Sequence, residues 1–306
     1  MITSFFNKSK PNNYVIIFLL ALLGFVIAVF KYNTLPFNLF NVLKLTFNFG
    51  LTCVSIFTLN FIVKRNSLTK ENTYAVLVYC FALLLLPQTF LNVKIIISNL
   101  FIILALRRLL SLSSKKNTIK KLFDFGVLIT IAALFNSWAI SGFIFVFFAL
   151  IYYPEKRFNY WIIPFLGVLA VSIIVYSVYL YFPDRFSDVN LIFYYKWLTI
   201  TTFNWPINLA NVLLLLFAFY GLLIYLSGIK NKKRIKQSAF YLVTFAFLVL
   251  IFISIVQPIK TVSELLFVFM PLAIIGANAL ENQTLKLINE IFLLVCIMCI
   301  ALITFI

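Results

Sequence analysis

Long apolar runs alternate with short polar breaks along the whole chain. The runs occupy 14–31, 40–63, 73–88, 93–107, 123–136, 140–153, 161–182, 208–228, 238–257, 262–280 and 290–306. Several approach the roughly 20 residues that a helix needs to cross about 30 Å of hydrocarbon. Read as helices, the eleven runs predict an all-α, polytopic integral membrane protein, with a single transmembrane domain over 1–306. Two pairs are cramped, because 73–107 and 123–153 must each hold two helices with a very short turn. "LPQTFLN" (86–92) and "NSWAISG" (136–142) supply the Pro, Asn, Ser and Gly that such turns use. A single kinked helix or a re-entrant loop is the competing expectation for each pair.

The polar breaks predict the orientation, because cytoplasmic loops carry an excess of Lys and Arg. With the N-terminus inside and the C-terminus outside, only Lys31, Lys94, Arg185, Lys196 and Lys260 of the 25 basic residues fall in outer segments. Lys44 lies near the outer end of the second run, where a long side chain snorkels to the interface. The largest basic block, Arg107, Arg108, Lys115, Lys116, Lys120 and Lys121, makes 107–122 a cytoplasmic loop that orients its neighbouring helices. Each such residue contributes about 1 kcal/mol against anionic headgroups. Trp138, Trp161, Trp197 and Trp205 all fall at predicted interfaces or in the outer loop. That loop, 183–207, is the longest break, and its apolar middle predicts an amphipathic segment on the membrane surface. The first run follows Lys8 and Lys10 and no small-x-small cleavage site follows it, so it is expected to be an uncleaved helix.

Composition agrees with the pattern. The chain is 64% hydrophobic and 11% charged, with mean hydropathy +1.08, against about 45–50% and about 25% in soluble domains. A net charge of +17 would suit nucleic acid, but its segregation into alternate breaks excludes that partner and points to membrane topology. The abundant Phe is expected to pack in the core or against lipid. All four cysteines lie within apolar runs, and "CIMC" at 296–299 has no nearby charge to activate a thiol. No histidine is present, which removes imidazole metal sites, Ser-His-Asp triads and imidazole proton relays. Glycines are too few for a phosphate loop. No metal and no cofactor is expected.

Candidate chemistry rests on eight carboxylates. Glu71, Asp124, Glu155, Glu281 and Glu290 fall on the predicted inner side among lysines, where they balance charge at helix ends. Asp184, Asp188 and Glu264 face outward with Arg185, Lys196, Lys260, Trp197 and Trp205. Two acids four residues apart suit a general base or a pair of divalent-metal ligands. In an enzyme, Asp184 and Asp188 are the catalytic candidates. Arg185, Lys196, Lys260, Glu264, Trp197 and Trp205 are then the substrate-binding ones. The plainer reading is a solvated loop whose charges keep it out of lipid. No run carries a charge at its centre. Polar residues there, Asn48, Asn60, Asn99, Thr130 and Ser254, bond across helices, which disfavours an ion-coupled carrier.

"MITSFFNKSKPNNYVII", "LPQTFLN", "LALRRLLSL", "LFDFG" and "ELLFVFMPLAI" together resemble an uncharacterised family of Bacteroidetes (flavobacterial) polytopic inner-membrane proteins. That resemblance runs the length of the chain and implies an inner-membrane protein without an assigned activity. A fainter one, in the rhythm of 107–151 and 265–275, is to membrane glycosyltransferases that use lipid-linked sugars. Those place a catalytic acid in the first outer loop, where 31–40, "KYNTLPFNLF", has none. Three functions follow as expectations. The first is a non-catalytic or accessory subunit that binds membrane lipid or a partner membrane protein. The others are a glycosyltransferase-like or polymerase-like enzyme at the outer face, and an amphiphile transporter or flippase.

Overall fold

A computed structural model describes residues 2–34, 36, 38–114, 116–152, 157–182, 205–230, 232, 234–257, 262–282 and 286–305. Among them are twelve α-helices and no strand: α1 (Ile2–Phe6), α2 (Pro11–Tyr32), α3 (Leu39–Arg65), α4 (Tyr74–Leu85), α5 (Val93–Leu110), α6 (Thr118–Phe135), α7 (Ile144–Tyr152), α8 (Asn159–Tyr181), α9 (Trp205–Ile229), α10 (Arg234–Val256), α11 (Leu266–Leu280) and α12 (Lys286–Phe305). Each apolar run holds one of α2 to α12, while the five-residue α1 has no counterpart in the hydropathy pattern. Seven candidate spans, on α2, α3, α5, α8, α9, α10 and α11, are long and apolar enough to cross a bilayer. Their free faces fit that solvent. On α9, Leu215, Phe219 and Leu223 remain 59%, 65% and 57% exposed, a stripe that water would penalise and hydrocarbon does not.

Local chemistry sets the helix ends. α2 starts on Pro11, whose missing N–H costs nothing at the first helical position. α4 stops because Pro87 drives Leu86 out of the helical region, to φ −127 and ψ 69. A 3-10 turn, Pro87–Phe90, follows it, and another, Ser137–Phe143, separates α6 from α7. Both cramped pairs are therefore two helices, and neither is one kinked rod. α3 closes in a Schellman motif: Leu68 N donates to Val63 O at 3.1 Å and Ser67 N to Lys64 O at 3.2 Å. Ser67 takes the left-handed position, φ 48, that glycine usually fills.

The chain forms two compact units. The first comprises Met1–Ile96, Ile200–Lys232 and Lys260–Ile306. At its centre are α4, buried at every residue, and α11, buried at every residue but Asn278. α2, α3 and α12 pack on α4, and α9 packs on α11. The 12 residues of α4 extend only about 18 Å, and every one of them is buried in protein. A Cβ on Gly276 would come within 2.4 Å of the Phe217 ring, so α9 and α11 approach closely there. On α3, Asn48, Thr52 and Ser55 form a buried strip of small polar residues at helical spacing, the composition that lets membrane helices approach.

The second unit comprises Ile97–Thr199 and Lys233–Ile259. Its tightest contact is α6 on α8, where Gly126 meets Gly167. A Cβ on Gly126 would lie 2.1 Å from the Pro164 carbonyl oxygen, and one on Gly167 would lie 2.5 Å from that of Phe123. Aromatic stacking of Phe148 on Phe245, with centroids 4.1 Å apart, holds α7 to α10. Asn136, at the end of α6, accepts from Trp138 N and from Gln257 Nε2, so one side chain satisfies the turn and fastens the end of α10.

Backbone cannot give way as a side chain can, which makes the α6–α8 crossing a sharp test. Gly126→Ala is expected to lose roughly 1–3 kcal/mol or more of stability. Gly50→Ala, which meets nothing within 4 Å, should gain about 0.5–1 kcal/mol from helix propensity. Thermal unfolding of the two variants in one detergent measures the contrast.

Candidate functional site

Two of the described carboxylates, Glu281 and Glu290, lie where α1, the start of α4, the end of α11 and the start of α12 meet. Glu290, on α12, is 8% exposed. It accepts from Thr3 N at 3.1 Å and, more closely, from the Thr3 hydroxyl. Tyr74 Oη donates to Thr3 O at 2.6 Å. Thr73 donates to Phe6 O from both its amide, at 3.3 Å, and its hydroxyl, at 3.1 Å. Asn13 Nδ2 donates to Phe5 O at 3.1 Å and Lys8 O at 2.8 Å. The Thr3, Phe5 and Phe6 carbonyls at the end of α1 are thus engaged. These bonds fix the N-terminal segment to the central helix, although five residues alone would not hold a helix.

Glu281, one residue past α11, does the same for the α3–α4 connection. It accepts from Lys70 N at 2.7 Å and from Asn72 Nδ2 at 2.6 Å. Asn278 Nδ2 donates to Leu68 O at 3.0 Å. Burial pushes the Glu281 carboxyl above its ordinary 4.5, against the opposing pull of Asn72, the Lys70 amide and the Lys70 and Lys232 charges. On α12, Asn289 donates to Ala279 O and Asn282 O and accepts from Tyr220 Oη. Lys64 Nζ reaches Ser9 Oγ at 3.0 Å and lies 5.2 Å above the Tyr14 ring. In the second unit the basic loop is fastened as well. Arg108 pairs with Asp124 at 3.0 Å, and Lys121 Nζ donates to Ser111 O and Ser114 Oγ. Both members of the ion pair are more than a third exposed, so it adds little stability.

Carboxylates that accept backbone amides and amide side chains serve as structural acceptors. Among the described residues no group of three or more Cys, Asp or Glu is placed to hold a metal ion.

The predicted outer group lies mostly elsewhere. Asp184, Arg185, Asp188, Lys196, Trp197 and Lys260 fall outside the described residues. Glu264 sits in the 3-10 turn Ser263–Leu265 that leads into α11, and is 5% exposed. Trp205 opens α9 and is 43% exposed. Sequence reading took Glu281 and Glu290 for simple charge balance and gave Thr3, Asn72 and Tyr74 no role. The available signals were "NE" at 289–290 within an apolar run and "ENT" at 71–73 immediately before one.

The chain belongs to a family of unknown function, DUF6427, which its residues 7–306 match. No curated protein and no solved structure matches it.

The raised Glu281 carboxyl gives a signed pH dependence. A carboxyl with a higher pKa folded than unfolded binds its proton more tightly in the native state. Its contribution is therefore greatest below pH 4.5 and is lost as pH rises through the folded value. Glu281→Gln keeps an acceptor oxygen and abolishes the titration. Melting temperature measured across that window should fall with pH less steeply in the variant than in the parent.

Proposed function

We propose that this chain is a multi-pass protein of the bacterial inner membrane that acts as a non-catalytic or accessory subunit, binding membrane lipid or a partner membrane protein. The observation that carries this reading is the use of three described acids. Glu281 and Glu290 accept hydrogen bonds that position helices, and Asp124 pairs with Arg108. Groups held this way are poorly suited to proton transfer on a substrate. The extended apolar faces of α8, α9 and α12, by contrast, suit lipid or another membrane helix. Ile173, Ile174, Leu287, Ile291 and Met298 are each at least 60% exposed.

Within this reading α2 to α12 make about eleven passes, N-terminus inside and C-terminus outside, with the short α4, α7 and α12 completing the set. Supporting it is the charge pattern, with Lys8, Lys10, Lys64, Arg65 and Lys70 at one end of α2 and α3 and the block of 107–122 at the end of α5 and the start of α6. A transporter or flippase of amphiphiles is the second reading. It is favoured by two short buried helices, α4 and α11, that adjoin 3-10 turns packed on each other, an arrangement that transporter sites use.

Native mass spectrometry of the full chain released from mild detergent tests the binding role. A retained phospholipid or protein is expected, and a bare monomer would count against it. Cysteine labelling in a cysteine-free background tests the topology. Asn38→Cys should react with an impermeant maleimide on intact spheroplasts, and Ser113→Cys only after permeabilisation. The reverse pattern would overturn the orientation.

A further inference from the structure

At the end of α3 remote from Glu281, a cavity of about 470 Å³ opens between the start of α3, the start of α5 and the two 3-10 turns. It is lined by Lys44 and Lys94 together with Tyr32, Gln88, Asn92 and Ser263. Its size falls within the range of about 300–1,000 Å³ usual for small-molecule sites. Ser263 Oγ donates to Gln88 O at 3.4 Å across the two turns. Asn48, fully buried on α3, donates to Phe90 O and Leu91 O beneath them at 3.1 and 3.2 Å. The wall is therefore fixed by contacts that leave the lysines out.

Lys94 has the wrong sign for its position at the start of a helix. A helix N-terminus carries a partial positive charge and favours acids. Lys94 is the second residue of the 18-residue α5 and Lys44 the sixth of α3, and neither helix has an acid in its first turn. Among the described residues, neither ammonium has a hydrogen-bonding or ion-pair partner. The N-terminal amides of α5 add to the imbalance. Asn92 Oδ1 accepts from Ile95 N at 3.4 Å, while the Val93 and Lys94 N–H groups have no acceptor among the described residues. Two cations, open amides and the Asn92 and Gln88 side chains thus face one space, and the carboxylate of the adjoining turn, Glu264, is buried and is not among the residues that line it.

The geometry points to a binding site in this cavity for a doubly charged phosphate headgroup carried on a lipid, gripped between Lys44 and Lys94. A phosphomonoester bears about −1.5 to −2 charges at pH 7 and offers three strong acceptor oxygens. It would balance both lysines at once and accept from the α5 amides, whereas a phosphodiester brings one charge and fewer free oxygens. The lipid tail follows from position: α2, α3 and α5 are candidate spans, and Lys44 stands about 8 Å along α3 from its first residue. This site deepens the lipid-binding reading above and rests on it for the tail.

The test uses the full chain in phosphatidylcholine nanodiscs doped with phosphatidic acid or phosphatidylglycerol, read by native mass spectrometry. Inorganic phosphate and glycerol 3-phosphate serve as soluble competitors. Phosphatidic acid should be retained in preference to phosphatidylglycerol. Lys44→Gln and Lys94→Gln should each weaken that retention about fivefold, the equivalent of about 1 kcal/mol per basic residue. Lys64→Gln, at the other end of α3, should leave it unchanged, and melting curves establish that all variants fold. Retention indifferent to headgroup and to both lysines would overturn this site while leaving the broader lipid-binding reading intact. Displacement by the soluble phosphates at concentrations matching the lipid would overturn the lipid assignment.

Discussion

Between α4 and α5, the carbonyls of Phe90 and Leu91 stand outside either helix, and the fully buried Asn48 donates to both. In such surroundings an unsatisfied backbone group costs several kcal/mol, so the break exists only because α3 brings an amide to it. The consequences extend outward. Pro87 ends α4 after 12 residues, and Thr89 Oγ1 donates to Leu86 O at 2.8 Å to close the turn. Ser263 joins that turn to the one leading into α11. The central helices of the first unit are short because their ends are satisfied by neighbours, and the space this leaves is the cavity between Lys44 and Lys94.

The other end of the same unit solves the problem with carboxylates. Glu281 and Glu290 each accept from a backbone amide, of Lys70 and Thr3, as well as from a side chain. A hydrogen bond to an ionised acceptor is about twice as strong as a neutral one, which offsets part of the cost of burying the charge. At the break beside Asn48 the donor to both carbonyls is a neutral amide. The contrast matters because a carboxylate in place of Asn48 would stand one helical turn from Lys44. Keeping the structural role neutral leaves the cationic cavity open to an external anion.

Much of this architecture was legible in the pattern of apolar runs. Every run became a helix, and both turn motifs became 3-10 turns, because Pro, Asn and Gly act on the local backbone and the backbone carries the signal. Which helices face protein was not legible. α4 reads "YAVLVYCFALLL" and lies wholly in protein, while the equally apolar α9 exposes a stripe. Lipid tails and protein interiors are alike in polarity, so hydropathy cannot separate them. The small α1 was hidden for a different reason: its stability comes from Thr73, Tyr74 and Glu290, distant in sequence, and its own residues contribute little.

The same limit explains why the sequence gives no sign that the two lysines belong together. Lys44 and Lys94 are 50 positions apart, and each alone is what a snorkelling residue at a membrane interface should be. Their meaning comes from convergence on one cavity at the starts of two helices, a property of tertiary packing. The outer acids, by contrast, stood out because Asp184 and Asp188 are neighbours in sequence. Proximity along the chain is a weak guide in a helical membrane protein, since residues one span apart in sequence lie at opposite ends of a helix. Residues separated by a break, or by two helices, are the ones that meet. For this chain, chemistry is better sought by asking which helix ends share a level than by scanning for adjacent polar residues.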